Sequence, residues 1–427
     1  MADLNHNHFL YDNFVLANEI EDQYNSHLDL MRFCTVDDSL VGIAGDIKKI
    51  HRYRATDGSQ DLEMGEGNTK NIEVSYTDEE YRILLTQNRF PYYDEEAMRD
   101  PNVVPVGIRH MSTDMFNATN KKVFLEFSKA TRQVASATYD FAAFVDAVSM
   151  LGLPEDQEAA QSTEIFAFIN RTNEAEIRKA LGEHLKYVEA FVRRGYIGTV
   201  AGVNIYIKKD APTNYIVIGT RSAVTYFVKK GTEVEQERTD PNKRLTTIYS
   251  RKNYLPALTD ETQAVRIVKG TDKIAPKIIT TTLLNGTVGT VYENKAEFTG
   301  DGSTVAFVVE SKPAVLTKVT VDGTAKTLDT DYSYTAATGT VTFTTAPADT
   351  KEITATYAVT IGATGSATIK YEIERGRLPA GLTMSAAGAI TGKPTKAGTF
   401  KFTVLATNDY GAFDKKFNIT VAEDSEE

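Results

Sequence analysis

The residues of this chain that could do chemistry are six histidines, one cysteine and a few carboxylate clusters, and none of them forms a working constellation. His6 and His8 are a metal-type HxH pair, but they sit in a polar terminus without the third and fourth ligands that a zinc site needs. His27, His51, His110 and His184 are dispersed, and Cys34 is alone, which rules out an intrachain disulfide and leaves a thiolate metal site without partners. The glycines of Gly198–Gly202 (GTVAG) lack the third glycine and the ribose-binding acid of a dinucleotide loop, so they read as a turn. Thr299 to Ser303 (TGDGS) lacks the bidentate glutamate of a calcium loop. Asp94, Glu95 and Glu96 precede a helical stretch, where acidic side chains complement the positive end of the helix dipole. Neither a GxSxG elbow nor a GxxxxGK[ST] phosphate loop occurs. No catalytic, cofactor or metal residue is therefore assigned, and the chain is not read as an enzyme.

One charged stretch is organised differently. Glu233-Val234-Glu235-Gln236-Glu237-Arg238 is followed by Lys243, Arg244, Arg251 and Lys252, inside a segment whose apolar runs (Val203, Ile205 and Ile207; Ile216 to Ile218; Val224, Tyr226 and Val228) predict strands. In a solitary domain this would be a solvated face. In a subunit that meets copies of itself, adjacent charges of both signs can set register between neighbours. The composition points to a surface for neighbours rather than a cleft for a substrate.

The whole chain sets limits. Its 427 residues suggest two to four domains. The net charge of −11 repels polyanions, and no basic patch is long enough to overcome that field, so tight nucleic-acid binding is not expected. The start, MADLNHNHFLYDNF, has neither a basic nor an apolar signal region, and no run of eighteen apolar residues occurs, so no export signal or membrane span is expected. A reducing cytoplasm suits the single cysteine. The lack of tryptophan weighs against a sugar-stacking cleft.

The elements that would carry the charged stretch read as follows. Residues 1–45 form an arm with helical spacing from Ile20 to Phe33; residues 46–90 give two strand-like limbs (Ile47, Ile50 and Tyr53; Ile72, Val74 and Tyr76) around a polar tip, with too few apolar residues for a core of their own. From Pro101, placed at a first helical turn, Val104, Ile108, Met111, Met115 and Ala118 repeat at three and four residues, followed by Phe124 and Phe127, which predicts a helix about 40 Å long. Phe141, Phe144, Val145 and Val148 predict a helix face, Glu164 to Asn170 a buried strand, and Asn173 with Glu176 a capping box. Beyond Gly270 the chain turns to Thr, Gly, Val and Ala in short strands with regular turns, an all-β pattern.

These segments, in this order, resemble the major capsid protein of tailed bacteriophages. The similar wording is TVDDSLVGIAGDIKKI, MRDPNV, GTVAGVNIYIKKDAP and IGTRSAVTYFVKKGTEVEQERTDPNKRLTTIYSRKNYLPALTDE, spread over the first 270 residues. The resemblance implies an α+β capsid fold: an N-terminal arm at 1–45, an E-loop hairpin at 46–90, a peripheral domain at 91–131 with its spine helix at 102–130, an axial domain at 132–230 and a return to the peripheral domain at 231–275. A second stretch, LPAGLTMSAAGAITGKPTKAGTFKFTVLATNDYGA, resembles bacterial immunoglobulin-like modules, whose first strands read like IITTTLLNGTVGTVYENKAEF further upstream. Residues 277–298 plus 361–422 are therefore expected to form one all-β immunoglobulin-like sandwich, residues 299–360 a β module inserted into it, and 423–427 an acidic tail; domains in series are the alternative.

The family implies a structural role as an icosahedral shell of hexamers and pentamers around packaged double-stranded DNA, assembled in the bacterial host cytoplasm and retained in the virion. Its implied partners are copies of itself, a portal, a separate scaffolding protein, and host or mucosal glycans for the β modules, with no membrane and no cofactor. With about 45 residues before the hairpin, a fused scaffold and extensive proteolysis are not expected. In such a shell the E-loop overlies a neighbour, which makes Asp57, Glu63, Glu66 and Lys70, with Glu233, Glu235, Glu237, Arg238, Arg251 and Lys252, the subunit-contact candidates. An encapsulin-like nanocompartment shares the fold, and a surface adhesin would account for the β modules alone.

Overall fold

The computed structural model describes residues 28–43, 45, 47–56, 58–60, 67–156, 162–185, 198–311, 313 and 315–423. The chain divides into two units, Met1–Val134 with Thr138–Ile267, and Ala135–Ala137 with Val268–Glu427. Strands of the first unit are β1 (Thr35–Asp37), β2 (Ile47–Ala55), β3 (Val74–Arg82), β4 (Leu84–Tyr93), β5 (Arg132–Ser136), β6 (Ile165–Ile169), β7 (Thr199–Val200), β8 (Val203–Ile207), β9 (Tyr215–Thr220), β10 (Val224–Asp240), β11 (Leu245–Leu258) and β12 (Ala264–Lys269). Its helices are α1 (Asp94–Arg99), α2 (Val103–Ser128), α3 (Phe141–Ser149) and α4 (Arg171–Leu185).

α2 is the long helix that the periodicity predicts. Pro105 lies in its first turn, where a missing N–H costs nothing, while Pro101 lies in the turn before it. The N-terminal half buries Val104, Ile108 and Met111 with Tyr92, Ala97, Val234 and Ile248, under a sheet of order β1-β10-β11-β4. Alternate residues of β11 from Thr246 to Tyr254 are buried, so one face of this sheet is covered. Gly107 lets helix and strand approach closely, because a Cβ there would collide with the Phe90 ring. At the other end, Phe127 meets Phe166 and Phe168 of β6 at ring-centroid distances of 5.6 and 5.8 Å. Phe33 of the arm joins the same cluster, 4.8 Å from Phe166. Asn120 of α2 clamps the arm's backbone: its Oδ1 accepts from Leu30 N at 3.2 Å and its Nδ2 donates to Leu28 O at 3.1 Å.

The second sheet has the order β5-β12-β9-β6-β8-β7, with β6 buried throughout. α3 and α4 pack on it through Ala143, Phe144, Ala147, Ile177 and Leu181. Two expectations change here. Phe141 and Val145 are exposed, because the short α3 turns its alanines Ala143 and Ala147 inward instead. The cap of α4 is Asn170, whose Oδ1 accepts from Asn173 N at 2.7 Å, and Asn173 is buried with its Nδ2 donating to Pro212 O.

β2 and β3 form a two-stranded antiparallel ribbon, from Ile47 opposite Arg82 to Ala55 opposite Val74. After Ile83 the chain continues as β4 inside the sheet beside α2, so the returning limb of the hairpin ends at Arg82 rather than near residue 90. Similarly, β10 already belongs to that sheet from Val224.

The second unit contains β13 (Lys277–Ile278), β14 (Gly286–Thr287), β15 (Glu293–Thr299), β16 (Ala306–Val308), β17 (Lys318–Val321), β18 (Thr324–Lys326), β19 (Tyr332–Thr335), β20 (Thr340–Phe343), β21 (Glu352–Thr360), β22 (Ala363–Thr364), β23 (Lys370–Gly376), β24 (Leu382–Met384), β25 (Ala389–Gly392), β26 (Gly398–Asn408) and β27 (Gly411–Ala422). It holds two apolar cores. One joins Ile278 and Tyr292 to Val359, Ile361, Ile390, Phe402, Val404, Phe417 and Ile419. The other joins Val309, Val319, Tyr332, Val341, Phe343, Ile353, Ala355 and Tyr357. The chain leaves the first core along β15 and re-enters it along β21, and these two strands pair antiparallel from Glu293 opposite Ala358 to Thr299 opposite Glu352.

Cys34 is buried, and burial together with nearby Asp29 pushes its thiol up to about 12, against a smaller opposing pull from Arg221. The thiolate is therefore negligible in the native protein at neutral and mildly alkaline pH. A disulfide reagent at pH 8 is expected to leave Cys34 unmodified in the native chain and to titrate one thiol in denaturant; rapid native reaction would contradict this burial.

Candidate assembly surface

The charged stretch lies on β10 and β11, and the turn between them fixes it. Asp240 Oδ1 accepts from Asn242 N at 3.1 Å and Lys243 N at 3.2 Å, and Arg244 closes the turn with φ +53°. The register then sets Glu233 opposite Arg251 and Glu235 opposite Tyr249. Arg251 bonds Glu235 and approaches Glu233 at 3.6 Å, while Lys230 reaches Glu233 at 2.9 Å. Glu233 is held below the usual carboxylate range, first by the Lys230 hydrogen bond. Arg238 forks onto Asp94 with contacts of 2.7 and 3.4 Å, and Arg244 pairs with Glu95. Glu237 is exposed. Arg251 is thus already paired across strands, and Arg238 and Arg244 with the start of α1, all within one chain.

The carboxylates ahead of α2 have structural roles. Asp94, Glu95 and Glu96 form the first turn of α1, and Glu96 Oε2 accepts from Tyr93 N at 3.1 Å. Glu95 is lowered first by a backbone N–H at this helix start and then by Arg244. Asp301 accepts from Thr304 Oγ1 and N, both at 2.6 Å, and from Ser303 N at 2.8 Å. Those bonds hold its carboxyl well below the usual range, the Thr304 hydroxyl first. Ala201 and Gly202 form a turn between β7 and β8, with φ of +50° and +81°. Among the described residues, no three His, Cys, Asp or Glu side chains are placed to hold a metal ion, and no helix is long and apolar enough to cross a membrane.

Lys252 departs from the expectation of a contact residue. It is only 8% exposed, on the inner face of β11, with its Nζ 5.8 Å from the centre of the Tyr226 ring. Tyr226 stacks on Tyr254 at 5.4 Å, and Lys122 lies 5.3 Å over Tyr254 while donating to Thr86 Oγ1 at 2.7 Å. Strand alternation explains the correction: Arg251 faces the charged outer side, so Lys252 must face α2. Its cation lies against an aromatic face, which stabilises the subunit itself.

The ribbon contributes the exposed apolar surface. Ile72, just before β3, and Val74 and Tyr76 within it are 64%, 62% and 63% exposed and recur at a spacing of two. Lys70 is exposed just before them, whereas Asp57, Glu63 and Glu66 lie outside the described residues. A groove of about 510 Å³ runs between β4 and α2, lined among others by Phe90, Val103, Val106, Gly107 and Met111. Sequence reasoning missed this groove, because its only signal is one glycine in a helix opposite a strand phenylalanine.

Comparison with known proteins gives three results. Residues 306–422 match the family model described as "Putative Ig domain". No curated protein matches the chain. Among solved structures, the chain is similar to one from Mycobacterium phage Che8, at 17% identity over 55% of this chain and 89% of that one, with a TM-score of 0.42. It is similar to a subunit of the bacteriophage PhiM1 mature capsid at 13% identity over 57% and 87%, TM-score 0.47. A virus-like particle from Pyrococcus furiosus is similar at 15% identity over 59% and 97%, TM-score 0.40.

Two substitutions separate the outer from the inner face of β11. Arg251→Gln, on a half-exposed pair, is expected to change stability by under about 1 kcal/mol. Lys252→Glu places an anion against the Tyr226 ring in a buried site and is expected to cost about 3 kcal/mol or more. Urea denaturation followed by circular dichroism checks both; equal effects would refute the assignment of faces.

Proposed function

We propose that the protein is the repeating subunit of a closed icosahedral shell, the major head protein of a tailed bacteriophage, which encloses double-stranded DNA. The observation that carries this reading is the ribbon Ile47–Ala55 with Val74–Arg82. Two strands alone cannot build a core, and this pair exposes Ile47, Val74 and Tyr76, with Ile72 exposed just before it. A neighbour that covers the ribbon removes that surface from water. The surrounding parts suit a subunit of this kind: an arm anchored on Asn120, a 26-residue helix shared by two sheets, and an acidic chain that does not grip the genome. Arg251, Glu233, Glu235 and Arg238 then act as paired charges, with Glu237 exposed beside them, and their exposed sides set register with the next copy. A portal and a separate scaffolding protein complete assembly in the host cytoplasm.

The β modules of the second unit are displayed on the shell, and their ligands are host or mucosal glycans. Their arrangement is nested: residues 299–360 are inserted in the immunoglobulin-like sandwich, with β15 and β21 as the paired entry and exit. Pairing of these strands brings the ends of the insertion together, the condition under which insertions are tolerated.

Electron microscopy of the expressed chain tests the first reading. Shells or capsomers are expected, and a protein that stays monomeric under all conditions would refute it. Particles that contain protein cargo and no DNA would favour a nanocompartment instead. For the nested arrangement, replacing residues 294–357 with a two-residue Asn-Gly turn is expected to leave the rest of the second unit folded with one thermal transition. Loss of that transition would favour modules in series.

A further inference from the structure

We propose that Asn285 is a site of spontaneous deamidation, attacked by the backbone nitrogen of Gly286 while the N–H of Thr420 stabilises the charge that develops on its Oδ1. The site lies wholly within the second unit and does not depend on shell assembly.

Three features meet there. Asn285-Gly286 is the only Asn-Gly step in the chain, and glycine leaves the attacking nitrogen without a neighbouring side chain to hinder it. Asn285 is exposed, so water reaches its amide. Its Oδ1 accepts from Thr420 N at 3.3 Å, beside the parallel pairing of β14 with the end of β27. A backbone N–H aimed at a carbonyl oxygen favours the state in which that oxygen carries negative charge, which lowers the barrier to attack on the carbon. The fold therefore polarises the one asparagine side chain whose following residue is least hindered.

The reaction needs only the chain and water. Gly286 N gives its proton to solvent base and bonds Asn285 Cγ; the Cγ–Nδ2 bond breaks, ammonia leaves, and a succinimide ring remains. Water then opens the ring at one of its two carbonyls. Opening at Cγ yields an aspartate. Opening at the backbone carbonyl yields an isoaspartate, whose main chain runs through Cγ and is one atom longer.

The position of the site sets the consequence. The added atom falls immediately before β14, whose register places Gly286 opposite Val421 and Thr287 opposite Ala422. On one side Leu284 O accepts from the Tyr292 hydroxyl at 2.7 Å, and on the other Val288 N donates to Ala422 O at 3.0 Å. Lengthening the chain between these anchors puts them out of step, so the isoaspartate form loosens β14 from β27. Both products also add a negative charge.

The test incubates the full-length chain in mildly alkaline buffer, folded and in denaturant, and follows the tryptic peptide 278–295 by mass spectrometry, with isoaspartate scored by enzymatic methylation. The folded chain is expected to convert Asn285 at least as fast as the unfolded chain. Asn285 that stays intact in the folded chain under conditions that convert it in the unfolded one would overturn the proposal, since the fold would then protect the site. Gly286→Ala supplies the second arm. A Cβ there meets the Tyr292 ring and Pro394 at 3.4 and 3.5 Å, ordinary contact distances, so an unaltered thermal transition is expected. Conversion in that folded variant is expected to be several-fold slower; an unchanged rate would overturn attack by the Gly286 nitrogen.

Discussion

The fold of the first unit depends on one helix having to satisfy two cores. α2 buries aliphatic and Met side chains under the β10-β11-β4 sheet with its first half and packs Phe124 and Phe127 edge-on against the phenylalanines of β6 with its second. Twenty-six residues, about 39 Å, are enough to reach both. The helix is locked at its far end by polar groups as well: Lys129 pairs with Glu126 at 2.9 Å, both nearly fully buried, and Glu126 also accepts from Leu258 N. Arg266 donates to Ser128 O at 3.2 Å, and burial lowers it to about 10, which still leaves it charged at neutral pH. A buried ion pair adds little net stability, but breaking one is costly, so these contacts favour one seating of the helix over others.

What could be read from the sequence was periodicity. The α2 face, the buried strand Ile165–Ile169 and the ribbon were legible because their apolar spacing is regular and long. In the second unit the turns were legible because glycine marks them: Asp322 and Gly323 have φ of +51° and +74° in the two-residue turn joining β17 and β18. Where two readings shared one pattern, tertiary packing decided. Asn170 looks like the end of a strand and acts as a cap; Phe141 and Val145 look like a core face and are exposed. No window of sequence carries that information, since it depends on what packs against α3 and on where the chain returns at Pro212.

The charged stretch shows the same limit in electrostatic terms. Composition displays both signs side by side but not which side chains share a face. The register places Arg251 among Glu233 and Glu235, and the pleat sends Lys252 the other way. Half-exposed pairs of this sort contribute little to the stability of a subunit. Their value lies in geometry: each arginine is held in a fixed position by a partner in its own chain, so the surface offered to another molecule has a fixed charge pattern and loses little side-chain entropy on contact.

The strand pairing of β15 with β21 places a comparable constraint on the second unit. Ile353, Ala355 and Tyr357 face one core, and Val359, on the same strand and at the same spacing of two, faces the other. A single uninterrupted strand therefore crosses from one core to the next, and seven residue pairs with β15 brace the crossing. A flexible linker would let two modules move independently. A continuous strand cannot bend there without breaking ladder hydrogen bonds, so the two cores must present their surfaces in a fixed relation.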